Sequence, residues 1–337
     1  MSIQGAFGLD HLLPEERAEP GAPARGQVLV QMRAASLNYR DLLTVTGLYN
    51  PKQPLPLVPC SDGCGEVLAV GPDVEHLKPG DRVITTFAQG WVAGGLTREK
   101  AKTTLGGPLD GTLQERLLLA ADGVVRAPAH LSDAEAATLT CAGLTAWTAL
   151  TSGGVGPGDA VLTQGTGGVS SFALQLARLM GARVIVTSSS DEKLARARAL
   201  GAWETINYKT TPKWGARARE LTGGVGVDHV IEVGGADTLA QSIAAARPGA
   251  QVSLIGILTG TSTALSLTSV LMQGLRIQGI LVGHREGLEA LARATEAHQL
   301  RPVVDRVFPW TEARAALEHL RAGAHFGKVC LAVGEGA

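Results

Sequence analysis

The segment Val161-Leu-Thr-Gln-Gly165-Thr166-Gly167-Gly168-Val169-Ser170 sets three glycines, two threonines and a serine beside an apolar run. Residues without a Cβ let an anion approach backbone N–H groups, and the first turn of a helix adds the positive end of its dipole. The chemistry open to such a turn is to hold a phosphate or pyrophosphate. A strand must deliver the turn and a helix must leave it. Val161–Gln164 reads as a buried strand, Ala173–Met180 continues with helical spacing, and Ala182–Thr187 reads as a second strand. Strand, Gly-x-Gly-Gly, helix and strand within about thirty residues is the first unit of a dinucleotide-binding Rossmann domain. Ser170 takes the place of the usual third glycine and is small enough for close helix–strand packing.

The end of the second strand selects the dinucleotide. An NAD-specific domain usually carries Asp or Glu about twenty residues past the glycine turn, on the ribose hydroxyl. Thr187-Ser188-Ser189 fills that place here, Lys193 lies on the next helical turn, and Tyr208 ends the third strand beside them. Donor, cation and aromatic converge, so NADPH is the expected cofactor. The other readings are that Ser190 or Asp191 caps the helix, that Lys193 is solvated, and that Asp191 reaches the ribose. Ile255-Gly256-Ile257-Leu258-Thr259-Gly260 ends the fifth strand and Leu281-Val282-Gly283 the sixth. Ligands of open α/β sheets lie outside the carboxyl ends of the strands, so these segments are expected to flank the nicotinamide through backbone groups. Glu232-Val-Gly-Gly235 ends the fourth strand and is expected on the adenosine–ribose side.

These residues need a scaffold, and 337 residues are enough for two domains. From Asp159 strands and helices alternate. Strands are expected at 159–164, 182–187, 203–208, 227–233, 250–256 and 276–282, with helices starting near Val169, Asp191, Lys213, Asp237 and Ser266. That order predicts a doubly wound parallel six-stranded sheet. The first third is β-rich, with strands at Gln27–Arg33, Gly65–Gly71 and Asp81–Thr86. Ser132 to Leu150 reads as a helix opened by a Ser132–Glu135 capping box. Helices are also expected at 286–298 and at 309–319, the second capped by Thr311. The strand 328–333 is expected to return to the first domain.

A net charge of −1 gives no electrostatic reason to expect nucleic acid or an anionic membrane as partner. No apolar run approaches membrane-spanning length, and the N-terminus lacks the basic start and apolar core of a signal peptide. Four irregularly spaced cysteines suit a reducing cytoplasm, which is the expected location.

The chain resembles the medium-chain dehydrogenase/reductase superfamily, and most of all its zinc-free quinone oxidoreductase and enone reductase branch. The resemblance rests on Ser36-Leu-Asn38-Tyr39-Arg40-Asp41, Gly47-Leu-Tyr49, Pro59-Cys-Ser61-Asp62-Gly-Cys-Gly65, Lys78-Pro-Gly-Asp-Arg82, Gly111-Thr-Leu-Gln-Glu115, Cys141-Ala-Gly-Leu-Thr145-Ala-Trp and Phe326-Gly-Lys328. It implies a GroES-like β-rich catalytic domain at 1–123 and 299–337, a Rossmann domain at 124–298, and catalysis in the cleft between them. It also implies that Asn38, Tyr39, Asp41 and Tyr49 serve catalysis. Thr145, Gly165, Thr166, Gly167, Gly168, Val169, Ser188, Ser189, Lys193, Tyr208, Gly256, Ile257, Leu258, Leu281, Val282, Gly283, Phe326 and Lys328 would then face the cofactor. The other reading makes Tyr39 and Arg40 structural, with Arg40 paired to Asp41 or an interdomain carboxylate, and Lys328 an ordinary surface lysine.

Zinc dehydrogenases of this superfamily use a Cys, a His and a Cys or Asp. Asn38 stands in the first place, Ser61 in the second and Cys141 in the third, with Asp62 beside Ser61. A catalytic zinc needs three protein ligands and an open position, so no metal is expected. Hydride transfer to a conjugated carbonyl needs hydrogen-bond donors at the oxygen and no Lewis acid. The expected function is an NADPH-dependent reduction of a quinone or α,β-unsaturated carbonyl by a homodimer paired through the sixth strand. An alcohol or aldehyde dehydrogenase, and a non-catalytic NADPH-binding regulatory or RNA-binding protein, are the alternatives. The substrate is expected against loops 38–62 and 87–110, where Gln89, Trp91 and Leu96 could form a wall.

Overall fold

The computed structural model describes residues 1–334. The chain divides into two compact units, Met1–Leu144 together with the chain from Gly283 onward, and Thr145–Val282. None of the described helices is long and apolar enough to cross a membrane.

The first unit opens with Ser2–Ile3 (β1) paired to Leu12–Leu13 (β2). Gln27–Leu37 (β3) follows, then the helix Tyr39–Val45 (α1), Asp62–Val70 (β4), Arg82–Thr85 (β5), the short helix Arg98–Ala101 (α2), Arg116–Ala120 (β6), Val124–Arg126 (β7) and Asp133–Ala137 (α3). β3 runs four residues past the expected Arg33. Its first half alternates in burial, as a one-sided strand does, whereas Ala34 to Leu37 are buried on both faces and so show no alternation. Ser132 caps α3 with Glu135 as expected. The helix does not run through to Leu150. A π turn at Leu139–Gly143 interrupts it, and Leu144–Ser152 (α4) resumes. Thr140 Oγ1 donates to Thr85 O at 2.8 Å inside that turn, so a tertiary bond accompanies the widened coil.

The second unit holds Ala160–Gln164 (β8), Gly168–Leu179 (α5), Arg183–Ser188 (β9), Asp191–Ala199 (α6), Glu204–Asn207 (β10), Trp214–Leu221 (α7), Val227–Glu232 (β11), Leu239–Ala245 (α8), Ala246–Leu254 (β12), Leu267–Gln273 (α9) and Arg276–Gly279 (β13). Its six strands are ordered β10-β9-β8-β11-β12-β13, all parallel. The order reverses direction between β8 and β11, and the glycine turn leaves β8 at that point. β8 is buried along its whole length because helices cover both faces of such a sheet. β13 stops at Gly279, short of the expected residue 282. It is an edge strand, with pairing on one side only.

The chain then returns to the first unit through Arg285–Ala297 (α10), Val304–Pro309 (β14), Ala313–Ala322 (α11) and Lys328–Ala332 (β15). β15 pairs parallel with β14 and antiparallel with β3, so the last strand does rejoin the first third of the chain. Thr311 does not cap α11. A 3-10 turn at Trp310–Glu312 precedes that helix, and Ala313 N bonds back to Trp310 O, which leaves Thr311 inside the turn. The units are also divided differently from the expected 124–298 boundary. β7 pairs with β5, α3 packs on β3 and β4, and α10 packs on β7, so 124–144 and 283–298 belong to the first unit.

Candidate functional site

In the second unit, the turn after β8 is built to receive an anion. Gly165 has φ 70° and open space where a Cβ would stand. Gly165 N bonds Thr187 O at 2.7 Å, which ties the turn to the end of β9. Ser170 Oγ donates to Gln164 O at 2.6 Å, so the small residue in the third-glycine place closes the strand–helix junction. Gly167 precedes α5 and no side chain caps it. The amides of Thr166, Gly167, Gly168 and Val169 thus lie at the open N-terminus of a twelve-residue helix, an arrangement that fits a dinucleotide pyrophosphate.

At the end of β9, Ser188 is buried and in register with Asn207 of β10. Tyr208 N bonds Ser188 O at 3.1 Å, which places the half-exposed Tyr208 at this strand end. Ser190 caps α6, its Oγ accepting from Lys193 N, and so has a structural role. Asn207 Nδ2 donates to Asp191 Oδ1 at 2.8 Å. Asn207 was missed in the sequence because its partner is sixteen residues away. Thr145, in the first turn of α4, is buried.

Beyond β12, Ile257 and Leu258 are half-exposed. A Cβ on Gly256 would stand 2.0 Å from Val233 O, so this glycine is required by backbone packing. Leu281 is partly exposed, whereas Val282 is buried with φ 47°. Glu232 corrects its expectation. It is fully buried, and accepts from Gly234 N, Gly235 N, Thr238 Oγ1, Gln164 Nε2 and Ser242 Oγ. It holds its own loop and offers no oxygen to a ribose.

In the first unit, the chemistry-bearing residues surround the junction of β3, β4 and β15. Asn38 caps α1, with Asp41 Oδ2 accepting from Asn38 N at 2.7 Å in a capping box. Asp41 is buried, and burial raises its carboxyl while Arg40 opposes the rise. Its place is that of a helix cap. Arg40 does not pair with Asp41 through hydrogen bonds; it donates to Leu105 O at 2.8 Å and to Gly107 O, and its guanidinium lies 4.9 Å from the rings of both Tyr49 and Phe87. Tyr39 and Tyr49 are 43% and 48% exposed. Gln89 and Trp91 turn inward to carbonyls at Gly123 and Gly94, while Leu96 is exposed.

Lys328 is no surface lysine. It is 3% exposed, and its Nζ donates to Leu37 O and to Asn38 Oδ1 at 2.6 Å and lies 3.9 Å from Asp62 Oδ2. Asp62 is buried and accepts from Ser61 Oγ at 2.8 Å. Burial pushes its carboxyl up to about 6, with Lys328 holding it down. Burial also raises the Cys141 thiol far above its ordinary value, and Asp62 adds to the rise. Phe326, just upstream, is buried, and its N–H donates to Asp305 Oδ1. Cys60 and Cys64 are buried packing residues, and burial pushes the Cys64 thiol up to about 12.

A catalytic zinc does not fit this donor set. Asn38, Ser61 and Cys141 offer an amide, a hydroxyl and one sulfur, and the amide oxygen already accepts from the Lys328 ammonium. Among the described residues, no three His, Cys, Asp or Glu gather to hold a metal.

Comparison with known proteins agrees with the fold of the two units. The family described as "Alcohol dehydrogenase GroES-like domain" matches residues 24–129, and "Zinc-binding dehydrogenase" matches 168–297. The chain is similar to a zinc-type alcohol dehydrogenase-like protein of Schizosaccharomyces pombe, 46% identical over 97% of this chain and 96% of that one. It is similar to the crystal structure of an NAD-dependent alcohol dehydrogenase, 36% identical with a TM-score of 0.89 over 99% of both chains. It also resembles Escherichia coli quinone oxidoreductase complexed with NADPH, 26% identical with a TM-score of 0.83 over 98% of this chain and 99% of that one.

Proposed function

Because the chain belongs to the medium-chain dehydrogenase/reductase superfamily, we propose that it is an NADPH-dependent oxidoreductase that reduces a quinone or α,β-unsaturated carbonyl without zinc. The observation that carries this reading is the set of groups at Asn38, Ser61 and Cys141, which lacks the three ligands a catalytic zinc requires. Without a Lewis acid, an alcohol is hard to convert to an alkoxide. A conjugated carbonyl asks only for hydrogen-bond donors where negative charge develops on its oxygen. A reduced nicotinamide supplies the hydride when bound. The chain's part is to hold the carbonyl and stabilise its oxygen, and Tyr49 and Tyr39 present hydroxyls on half-exposed side chains for that task. Asn38 is turned to Lys328 by its oxygen. Ser188, Ser189, Lys193 and Tyr208 would read the 2′-phosphate, and the NADPH complex of the quinone oxidoreductase supports that preference. The homodimer would form at β13 and α9, where Leu267, Leu271 and Met272 are about three-quarters exposed beside an unpaired strand edge.

The names of the S. pombe relative and the NAD-dependent structure favour a second reading, alcohol oxidation. Oxidation of NADPH is followed with 1,4-benzoquinone, an acyclic enone and an aldehyde, and reduction of NADP⁺ and NAD⁺ with primary alcohols. Turnover of the quinone or enone exceeding that of any alcohol is expected. Alcohol turnover with an inert enone would establish the second reading, and no turnover at all a binding role. Sedimentation of a monomer at micromolar concentration would remove the dimer.

A further inference from the structure

Gln164 is the last residue of β8 and Glu232 the last of β11. These strands are neighbours at the point where the sheet order reverses, and the register of Ile231 with Thr163 sets Glu232 beside Gln164. Both residues are buried, and Gln164 Nε2 donates to Glu232 Oε2 at 2.6 Å. The carboxamide is fully used: Nε2 also donates to Ser242 Oγ at 2.7 Å, and Oε1 accepts from Val233 N at 3.3 Å and Gly234 N at 3.0 Å. Glu232 Oε1 accepts from Gly234 N, Gly235 N and Thr238 Oγ1 at 2.8, 2.9 and 2.6 Å. Two side chains thus hold the 233–238 loop. That loop in turn holds the chain after β12: Thr259 N donates to Gly234 O at 2.9 Å, Asp237 N to Thr259 Oγ1 at 2.9 Å, and Ala236 N to Gly260 O at 3.3 Å. One chain of hydrogen bonds therefore runs from the residue before Gly165 to the segment that carries the half-exposed Ile257 and Leu258.

We propose that Gln164 and Glu232 are positioning residues for the dinucleotide: their buried pair fixes the anion-binding turn after β8 and the 256–260 segment after β12 as one frame. Backbone donors hold an anion well only when their spacing is set beforehand, because a loose loop must be ordered on binding. An apolar residue at 164 would leave Val233 N without its acceptor and free the 233–238 loop from the turn. The proposal rests on dinucleotide binding by the second unit, and on neither the choice of phosphate nor the substrate.

Gln164→Leu keeps the burial and cuts the chain of bonds. Thr238→Val is the milder second variant, since it removes one donor to Glu232 from a partly buried position. Ser253→Ala is the control: Ser253 is buried on β12 and bonded to His229 Nε2 at 2.9 Å, so its loss costs stability away from the strand-end loops. Dissociation constants for NADPH and NADH are measured by fluorescence titration, with Tm and amide hydrogen exchange for each protein. Gln164→Leu should weaken both dinucleotides by one common factor of about tenfold, and Thr238→Val by about threefold, the equivalent of one hydrogen bond or less. Ser253→Ala should lower Tm and leave both constants nearly unchanged. Exchange should quicken in Gln164→Leu at 165–169 and at 256–260 together. A lowered Tm with unchanged constants in both network variants would make the pair structural only and overturn the proposal. Equal weakening in Ser253→Ala would overturn it too, by tracing the effect to general loosening. Exchange that quickens at 165–169 alone would show that the two segments are not one frame. A wild type that prefers NADH, with Gln164→Leu still weakened tenfold, would sink the phosphate reading and uphold the frame. A wild type that binds neither dinucleotide would sink both.

Discussion

Glu232 in the second unit and Asp62 in the first are both fully buried carboxylates, and their surroundings differ. Glu232 accepts from two backbone amides, two hydroxyls and a carboxamide. Asp62 accepts one hydroxyl, at Ser61, and its Oδ2 has no hydrogen-bond partner among the described residues. Asp41 Oδ1, in the same unit, shares that condition. A buried carboxylate with few donors is costly, so Asp62 is held less favourably than Glu232. The second unit uses its buried charge to hold a loop. The first keeps its charge where chemistry is expected.

The largest effect should come from breaking the satisfied side of this contrast. Glu232→Ala strands donors from three segments of the second unit at once, and stability should fall on the order of 4 kcal/mol in chemical denaturation. Glu232→Gln keeps the shape and should lose less. A Glu232→Ala protein as stable as the wild type would show that the network closes without the carboxylate.

The two units should also answer pH with opposite signs. Asp62 sits near 6 in the folded chain against an ordinary 3.8, because burial penalises its charge. The native state then holds the proton more tightly, so this contribution is full below 3.8 and is lost as pH rises through 6. His229 in the second unit is pushed down to about 4 from 6.5, first by burial and then by Arg276. Its contribution is present above 6.5 and is lost as pH falls through 4. Between about pH 6 and 4 the two oppose each other. Asp62→Asn removes the compensating member, so acidification should destabilise that variant more than the wild type, by on the order of 2 kcal/mol over the window. His229→Asn should tilt the other way. Parallel pH profiles for wild type and Asp62→Asn would mean that the carboxyl titrates alike in the folded and unfolded chain.

A smaller effect asks whether the second unit has its own place shaped for a ligand. If the end of β9 reads a 2′-phosphate, Lys193→Ala removes a charge-assisted contact worth about 1.5–3 kcal/mol. NADPH should bind about ten- to a hundredfold more weakly, with NADH nearly unchanged, in a fluorescence titration. Equal losses for both cofactors would place the lysine outside phosphate recognition.

The two units were not equally legible in the sequence. The inner strands β8 and β9 were readable because they are apolar runs buried on both faces, whereas the edge strands β10 and β13 are short, mixed in polarity and partly exposed. The glycine turn was readable because backbone access demands glycine. What escaped were side chains whose partners lie far along the chain. Gln164 reaches Glu232 across 68 residues, and Lys328 reaches Asn38 across 290. Within its own segment Lys328 heads a strand of apolar neighbours and carries no sign of burial. The π turn at Leu139–Gly143 escaped for a related reason, since no proline precedes it and Thr140 answers to Thr85.

The smallest effect is the most direct question about the first unit: whether its half-exposed tyrosine donates to substrate or only lines it. One face of the Tyr49 ring lies over the Arg40 guanidinium at 4.9 Å, and Arg40 is itself anchored on Leu105 O and Gly107 O. Tyr49→Phe keeps the ring and that stacking and removes only the hydroxyl. If the hydroxyl stabilises charge developing on the carbonyl oxygen, kcat should fall about tenfold with KM changed by no more than about twofold. A raised KM at constant kcat would mean that the hydroxyl binds substrate and transition state equally. No change in either would make Tyr49 a wall. The open side of the contrast would then rest on Tyr39 and the Asn38–Asp62–Lys328 cluster, and Tyr39→Phe becomes the variant that must lower kcat.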